Sequence, residues 1–252
     1  MFNRAKKFNQ PIGKWDVSRV TSFGSMFRRD DTSGSTIQFT SFNADLNWTK
    51  TSARDTSYMF YQAYVFDGDV STLDVSRVLN MQYMFKGASA FTGDLVWDTS
   101  SCHLMNNMFQ SATLFNGRVA FSDTSNVITM ASMFESARSF DGDLSALNLD
   151  SVTSLSRMFR DAWLFADGGI AAWDVANVQS FYEMFYRPGG ATLSSYNGVG
   201  LSSWDISSAT DMRAMFYRAY AFTQELCWDL SGVNVGANSH VSSCSDSRES
   251  YH

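Results

Sequence analysis

The apolar residues of this chain recur with a period of about 25 residues. The anchor is a Met-Phe pair that occurs nine times, and six of the eight spacings between successive pairs lie between 24 and 26 residues. The two longer spacings, 33 and 31, indicate insertions at about residues 30–40 and 188–200. The methionines of the nine pairs are Met1, Met26, Met59, Met84, Met108, Met133, Met158, Met184 and Met215. A fixed period of this length is the signature of a repeat architecture.

Within each unit, two different periodicities follow one another. Apolar residues at −3, 0, +1, +4 and +7 relative to the Met trace one face of a helix. Further along the unit, Trp173 and Val175 are two residues apart, which is strand-like alternation. The pattern therefore predicts one short helix and one short strand in every unit.

These units predict an α/β solenoid, a right-handed coil of the leucine-rich-repeat type with about nine repeats of 24–26 residues. No unit can bury its apolar face alone, so stacking of neighbours is expected to supply the core. We expect residues 1–235 to form one domain and residues 236–252, which are polar and Ser-rich, to form a tail or a weak cap. The first Met-Phe pair begins inside a repeat, which suggests a section of a longer array.

The repeated unit F-x-x-D-L-x-x-W-D-V-S-x-V-x-x-M-x-x-M-F-x-x-A is carried well by residues 8–18 and by residues 173–178. It resembles the BspA-like leucine-rich-repeat surface proteins, a bacterial and mycoplasma type of repeat that is also common in algae. The resemblance covers residues 1–235. It implies an extracellular or cell-surface protein that acts in adhesion and recognition and has no common catalytic site. The first residues lack the apolar segment of a secretory signal, so a cytoplasmic location stays open.

Composition narrows the function further. The chain has 19 basic and 25 acidic residues and a net charge of −6, without the overall basic excess of a nucleic-acid binder. No apolar run approaches the ~20 residues of a membrane helix, so we expect no direct membrane insertion. The three cysteines and three histidines show no metal-ligand spacing, and no cofactor is expected. Cys102 replaces a core valine and should be buried, and Cys227–Cys244 is the one disulfide considered.

The repeated aspartates allow two interpretations. Asp69, Asp94 and Asp143 occupy one column, and stacked carboxylates about 5 Å apart are candidate calcium ligands. Alternatively, each Asp accepts backbone N–H groups in its own turn, which we favour because calcium-binding repeats are Gly-rich. Another candidate for modification is Asn47, which begins an N-glycosylation sequon next to the core position Trp48.

Residues two and three positions after each Met should face outward, and here the columns vary. Tyr and Arg, which are favoured at interface hot spots, recur at these positions. The candidate partner-binding residues are Tyr61, Arg160, Tyr186, Arg187, Tyr217 and Arg218. An ordinary solvated face is the alternative.

The predicted function is a non-catalytic module of a surface protein that binds a protein or glycan partner through its repeat surface. No set of residues outside the repeat columns forms a catalytic constellation. A structural spacer and an intracellular interaction scaffold are the alternatives. The chain should be monomeric unless the open ends of the array stack on one another.

Overall fold

The fold is known from a computed structural model, which describes residues 1–3, 5, 7–29, 41–188 and 196–236. These residues contain two three-residue strands, β1 (Leu95–Trp97) and β2 (Val119–Phe121). They also contain two 3₁₀ helices, Ile170–Ala172 and Leu201–Ser203, and no α-helix. Almost all the rest of the described chain is turns and short extended segments. None of it forms a helix that could cross a membrane.

The two strands pair in parallel and form an open two-stranded sheet. Leu95 lies opposite Val119, and Trp97 lies opposite Phe121. Elsewhere, consecutive repeats are joined by single parallel bridges at the residue four positions before the Met, and the last bridge reaches Asn234, which no Met-Phe pair follows. The bridged residues are Ser22, Asp55, Asn80, Leu104, Thr129, Ser154, Ser180, Asp211 and Asn234. Each bridge residue between the two ends pairs with the repeat before it and the repeat after it.

The segment around each Met-Phe pair is a chain of four-residue turns. In the repeat of Met133, turn hydrogen bonds join Met130 to Met133 at 3.1 Å, Phe134 to Ala137 at 3.0 Å and Ala137 to Phe140 at 3.2 Å. The backbone N–H groups between these turn bonds donate to the next repeat. The N–H of Phe134, for example, donates to the Met158 carbonyl oxygen at 3.0 Å.

The predicted fold class, a leucine-rich-repeat-like α/β solenoid, is wrong. The helix expected in each repeat is absent from the described residues, and the strand reaches three residues in only two repeats. Of the eight Met-Phe segments from Met26 to Met215, six have two residues with a positive φ, such as Ser132 (56°) and Ser136 (57°), and two have one; a helix cannot pass through such residues. Each is the third residue of a turn, where a type II turn requires a positive φ.

The apolar spacing imitated a helix for a physical reason. The first and last residues of a four-residue turn approach within about 7 Å, so both can point to the same side. Consecutive turns therefore place apolar residues three apart on one face, close to the spacing of a helix. The turn ends in the repeat of Met133 are Met130, Met133, Phe134, Ala137 and Phe140, and all five are buried.

The core is a continuous stack of phenylalanine rings. In most repeats the Phe after the Met stacks on the Phe six positions later, and Phe109 and Phe115 have centroids 4.2 Å apart. In the two repeats with insertions, Phe27 stacks on Phe42 and Phe185 stacks on Tyr196. Between repeats the stacking continues, with Phe109 5.7 Å from Phe85 and 5.4 Å from Phe134. The prediction that the Met and Phe columns form the core is confirmed, since the Met and the Phe of every pair from Met26 to Met215 are buried.

Tryptophan indoles tie successive repeats together at the other side of the core. The indole N–H of Trp97 donates to the carbonyl oxygen of Val70 in the preceding repeat at 3.1 Å. Trp48, Trp173 and Trp204 make the equivalent bond. Trp15, assigned to the same column, is 45% exposed, so that core assignment is wrong for the first repeat.

Several predicted segments lie outside the described residues. These are the insertion at 30–40, most of the insertion at 188–200, and residues 237–252 of the predicted tail. The domain assignment of residues 1–235 stays a prediction.

The phenylalanine stack can be tested by truncation. Phe109→Ala removes a fully buried ring that contacts rings in its own and both neighbouring repeats, and a loss of about 3–5 kcal/mol in unfolding free energy is expected. Leu114→Ala, at a side chain that is 57% exposed, is the control and should change it by less than about 0.5 kcal/mol. Urea denaturation measures both. Similar losses for the two variants would contradict the stacked core.

The left-handed turn residues give a second test. Ser111 has φ 59°, and a β-branched side chain is strongly disfavoured there. Ser111→Val should lower the unfolding free energy by about 1–3 kcal/mol. Ser111→Ala keeps an unbranched side chain and should cost less, and Ser111→Gly should be close to neutral because relief of strain offsets the greater freedom of the unfolded chain. Equal stability of the Val and Ala variants in urea denaturation would contradict the left-handed geometry.

Candidate binding surface

The polar side chains beside the Met-Phe turns form a continuous surface. Met and Phe point into the core, and side chains two before, one before and two after each Met line the outside, almost all of them partly or fully exposed. We call these three columns, from Met26 to Met215, the basic tyrosine strip. The strip contains five basic residues, two acidic residues and six tyrosines. They are Arg28, Lys86, Arg157, Arg160 and Arg213; Glu135 and Glu183; and Tyr58, Tyr61, Tyr83, Tyr182, Tyr186 and Tyr217.

At the N-terminal end of the strip, three tyrosines pack with two cations. The rings of Tyr58 and Tyr83 stack with centroids 4.6 Å apart, and Tyr61 is tilted against Tyr58 at 5.5 Å. The Arg28 guanidinium lies 5.0 Å from the centroids of both Tyr58 and Tyr61. The Lys86 ammonium lies 5.4 Å from Tyr83 and 6.0 Å from Tyr61. We call these five residues the Lys86 cluster.

The Lys86 cluster is partly desolvated. Burial lowers the pKa of Lys86, and burial together with the neighbouring Tyr83 raises the pKa of Tyr58. Cations held over ring faces in such surroundings gain more from the aromatic quadrupole than fully solvated ones do. The side chains are therefore held in place before any ligand arrives.

The centre of the strip is uncharged. Asn106 donates to Asn107 at 3.0 Å, and Asn107 donates to Gln110 at 2.9 Å. This amide network separates the Lys86 cluster from a network of ion pairs further along the chain.

In the C-terminal half, carboxylates partly neutralise the arginines. Arg160 contacts Glu135 at 2.9 Å and Glu183 at 3.1 Å, and Arg157 contacts Glu183 at 2.8 Å. Tyr182 donates its hydroxyl to Glu183 at 2.7 Å. Tyr182 also lies between two guanidinium groups, those of Arg157 and Arg213, at 5.1 and 5.0 Å. This half is a rigid polar surface with little uncompensated charge.

Four of the six predicted partner-binding residues lie in the strip, namely Tyr61, Arg160, Tyr186 and Tyr217. Tyr186 and Tyr217 stack at 5.4 Å, and Arg218 lies 5.3 Å from the Tyr217 ring. Because these positions recur in every repeat, the structure brings them into one row. Their role in binding stays a prediction.

Arg187 differs, and its expected outward orientation is wrong. Its relative exposure is only 4%, and its guanidinium lies 5.6 Å from the ring centroid of Trp163. Arg138 lies 4.2 Å from the same ring and forms an ion pair with Asp161 at 3.3 Å. Arg187 is therefore buried beneath a partly exposed Trp163 ring at the edge of the repeats. The cause is the turn, because the backbone N–H of Arg187 donates to the Tyr217 carbonyl oxygen of the next repeat at 3.0 Å, and the residue does not lie on the outer face of a helix.

The columns one and two positions before the Met were not predicted as part of a binding surface, although they supply Tyr58, Tyr83, Arg157, Tyr182 and Arg213. Those positions were assigned to a helix, whose faces would have separated them from the residues after the Met. The net charge of the whole chain also gave no indication of the strip, because the acidic residues elsewhere outnumber the basic residues of this surface. Counting charges column by column would have found it.

The aspartate columns form turns. In the column that follows the Trp position, Asp98 accepts the Ser100 N–H at 3.1 Å and the Ser122 hydroxyl at 3.2 Å. Six other aspartates of this column accept the N–H two residues later in the same way: Asp16, Asp74, Asp123, Asp174, Asp205 and Asp229. The Asx-turn interpretation is confirmed for this column.

The three candidate calcium ligands also bind backbone. Asp69 and Asp143 accept the N–H groups of Ser71 and Ser145, and Asp94 accepts the N–H of Arg118 from the next repeat at 2.8 Å. Across the described ranges, no three His, Cys, Asp or Glu side chains are grouped so that they could hold a metal ion. Calcium binding by these residues stays a prediction without a group of ligands in the described chain.

Cys102 is fully buried, as predicted, and burial raises the pKa of its thiol to about 11. Such a thiol is a poor nucleophile at neutral pH. Cys244 lies outside the described residues, so the Cys227–Cys244 disulfide stays a prediction. Asn47 is exposed while the adjacent Trp48 is buried.

These features define a repeat protein whose units stack in parallel through turn and bridge hydrogen bonds. The repeats match the family described as "Mycoplasma protein of unknown function, DUF285" over residues 1–96, 94–194 and 165–250. The chain belongs to this family. No curated protein and no solved structure matches it.

The Asx turns predict how stability depends on pH. Hydrogen bonds from Ser100 lower the pKa of Asp98, and equivalent bonds lower those of Asp143, Asp205 and Asp229. A carboxylate with a lowered pKa in the folded state stabilises above its unfolded pKa, and this stability is lost as the pH falls through the folded pKa. The urea midpoint should stay level from about pH 7 to pH 5 and fall below about pH 4.

Asp98→Asn tests the assignment, because the amide oxygen still accepts the turn bonds and does not titrate. The variant should lose less stability than the parent chain between about pH 4 and pH 2. Identical acid profiles for variant and parent would contradict a contribution from Asp98.

Proposed function

We propose that this chain is a non-catalytic repeat module of a surface protein, which binds a partner on a cell surface through the basic tyrosine strip. The observation that supports this best is the segregation of charge. The strip holds five basic and two acidic residues on a chain whose net charge is −6. A repeat surface that served only as a spacer would have no need of it.

The composition of the strip supports recognition. Tyr and Arg are enriched where binding energy is concentrated, because they offer a large, stiff contact area with polar groups at the end. Here they are held in place by ring stacking and ion pairs, so little ordering would be required when a partner binds. The resemblance of the repeat to BspA-like surface proteins supports the cell-surface setting and an adhesive role.

The acidic residues support a non-catalytic module. Catalytic carboxylates require environments that shift their pKa values apart and a cavity for the substrate. The carboxylates of the Asp column accept turn hydrogen bonds instead, and most of these side chains face solvent.

A triple variant tests the strip. Tyr61→Ala, Tyr186→Ala and Tyr217→Ala together remove three rings from it, and binding of the labelled chain to a panel of animal, algal and bacterial cells should fall about tenfold or more. Flow cytometry measures this binding. The control triple, Leu114→Ala, Leu164→Ala and Tyr220→Ala, removes three side chains of 57%, 55% and 61% exposure outside the strip and should bind like the parent.

Thermal unfolding of both triple variants establishes that they are folded at the assay temperature. Equal binding by the two triples would reject the strip as the contact surface. A parent chain that binds none of the cells would favour the structural spacer.

A further inference from the structure

We propose that the C-terminal half of the basic tyrosine strip binds an uncharged linear polysaccharide. The inference rests on the proposed function and names the ligand of one part of the same strip. The centre of this half is a row of four side chains, each two positions after the Met of consecutive repeats, which we call the Glu135 row. It consists of Glu135, Arg160, Tyr186 and Tyr217.

The Glu135 row is continuous. Arg160 donates to Glu135 at 2.9 Å, and its guanidinium lies 4.9 Å from the ring centroid of Tyr186. The rings of Tyr186 and Tyr217 stack at 5.4 Å. Glu183, one position before its Met, contacts Arg160 at 3.1 Å from the side of the row. Each member of the row is therefore held by its neighbours, one per repeat.

The row offers hydrogen-bond donors and acceptors side by side. Within the described ranges, the second carboxylate oxygen of Glu135 and the hydroxyls of Tyr186 and Tyr217 make no hydrogen bond to protein. The carboxylate oxygen accepts, and each hydroxyl both donates and accepts. Neighbouring hydroxyls of a sugar also donate and accept, so they require this combination of groups. Because the row is already ordered, little entropy would be lost when a sugar binds.

The stacking of the row determines which part of each ring a ligand can reach. Tyr186 lies between the Arg160 guanidinium and the Tyr217 ring, so both of its faces are covered. The hydroxyl edge of the ring remains for a ligand. Such an edge suits hydrogen bonds to sugar hydroxyls better than it suits an apolar side chain.

The charges of this half of the strip balance. Its three arginines contact three carboxylates, two within the strip and one beside it. The pairs, at 2.8 to 3.1 Å, are Arg157–Glu183, Arg160–Glu183, Arg160–Glu135 and Arg213–Asp211. Arg218 lies outside the strip, beside the end of the row and 5.3 Å from the Tyr217 ring. A charged polymer would compete with these ion pairs, whereas an uncharged polymer leaves them intact.

The period of the array suits a periodic ligand. At this end of the chain, equivalent rings of adjacent repeats lie 5.4 Å apart, both for Tyr186 and Tyr217 and for Phe185 and Phe216. An extended polysaccharide advances by one sugar length per unit, which is close to this spacing. A polymer that runs along the strip would therefore place one sugar on each repeat and contact the same columns at every step.

The polarity of the strip disfavours a protein partner. The cores of protein interfaces are apolar and desolvated. In the described C-terminal half of the chain, the large apolar side chains with substantial exposure are Ile128, Trp163, Leu164, Val199 and Tyr220. None of them belongs to the strip, whose surface offers hydroxyls, carboxylates and guanidinium groups. A hydrated, uncharged polymer matches this surface better than an apolar protein patch does.

The test uses the full chain and four uncharged polymers: a β-1,3-glucan, a soluble β-1,4-glucan, a mannan and dextran. Heparin, polygalacturonate and polylysine are the charged polymers for comparison, and isothermal titration gives the affinities. At least one uncharged polymer is expected to bind more tightly than every charged one. Between about 0.05 and 0.5 M salt its affinity should change less than about twofold, because salt screens ion pairs and this ligand forms none.

A double variant locates the site. Tyr186→Phe with Tyr217→Phe removes the two free hydroxyls and keeps the stacked rings, so the fold is preserved. Binding of the uncharged polymer should weaken about tenfold, since about two hydrogen bonds are lost. Tyr220→Phe removes a hydroxyl from a side chain that is 61% exposed and lies outside the strip, and it should bind like the parent.

A charge variant tests the balance of the surface. Glu183→Gln keeps the size of the side chain and removes the charge that Arg157 and Arg160 share. It should weaken binding of the uncharged polymer and strengthen heparin binding at least about threefold, because two guanidinium groups become available to an anion. The control is Glu225→Gln, which removes the same charge from an exposed residue outside the strip and should change neither affinity. Thermal unfolding establishes that all variants are folded.

Each other outcome has a definite meaning. Tighter binding of any charged polymer than of every uncharged one would overturn the proposal, as would full binding by the double Phe variant. No binding of an uncharged polymer, together with loss of cell binding in the strip triple variant, would overturn the ligand assignment and leave the proposed function intact. No binding of an uncharged polymer, together with a strip triple variant that binds cells like the parent, would overturn both.

Discussion

The structure depends on backbone hydrogen bonds that are shared between repeats. Each Met-Phe segment uses alternate N–H groups to close its own turns and the N–H groups between them to reach the next repeat, as Met133 and Phe134 do. A backbone donor left unpaired in this core would cost about as much as a lost hydrogen bond. No repeat can satisfy its backbone alone, so the neighbouring repeat is part of the folding unit.

This constraint explains both the turns and the core. To direct alternate N–H groups to the next repeat, the chain takes a positive φ once or twice in each Met-Phe segment from Met26 onward, at residues such as Ser132 and Ser136. Most of these residues are not glycine. Each such residue costs about 1–3 kcal/mol unless its surroundings hold it. The stacked rings supply that support, because Phe134 and Phe140 pack against each other at 4.0 Å and against both neighbouring repeats.

The sequence predicts burial better than it predicts backbone. Columns of Met, Phe and Ala identify the core because burial follows residue type, and Cys102 was placed correctly by the valines of its column. The helix prediction failed because a run of turns buries residues at nearly helical spacing, and periodicity cannot distinguish the two. Only the backbone dihedral angles distinguish a helix from a run of turns. Glycines in the sequence would have indicated positive φ angles, whereas serines and tyrosines at these positions do not. Only the column two positions after the Met was predicted to belong to the strip. The columns before the Met lie beside it only because the backbone forms consecutive turns and not a helix.

The same stacking determines where the strip can interact. A column that repeated one charge in every unit would place like charges in adjacent parallel-paired repeats, about 5 Å apart, and destabilise the array. The strip avoids this in two ways: Glu135 and Glu183 neutralise Arg157 and Arg160, whereas Tyr61 separates Arg28 from Lys86. In the second way no carboxylate of the described strip lies within 4 Å of Lys86, although the charge of Glu135 acts to raise the pKa of Lys86. Repulsion between like charges is therefore kept low along the whole strip, by ion pairs in its C-terminal half and by tyrosines in its N-terminal half.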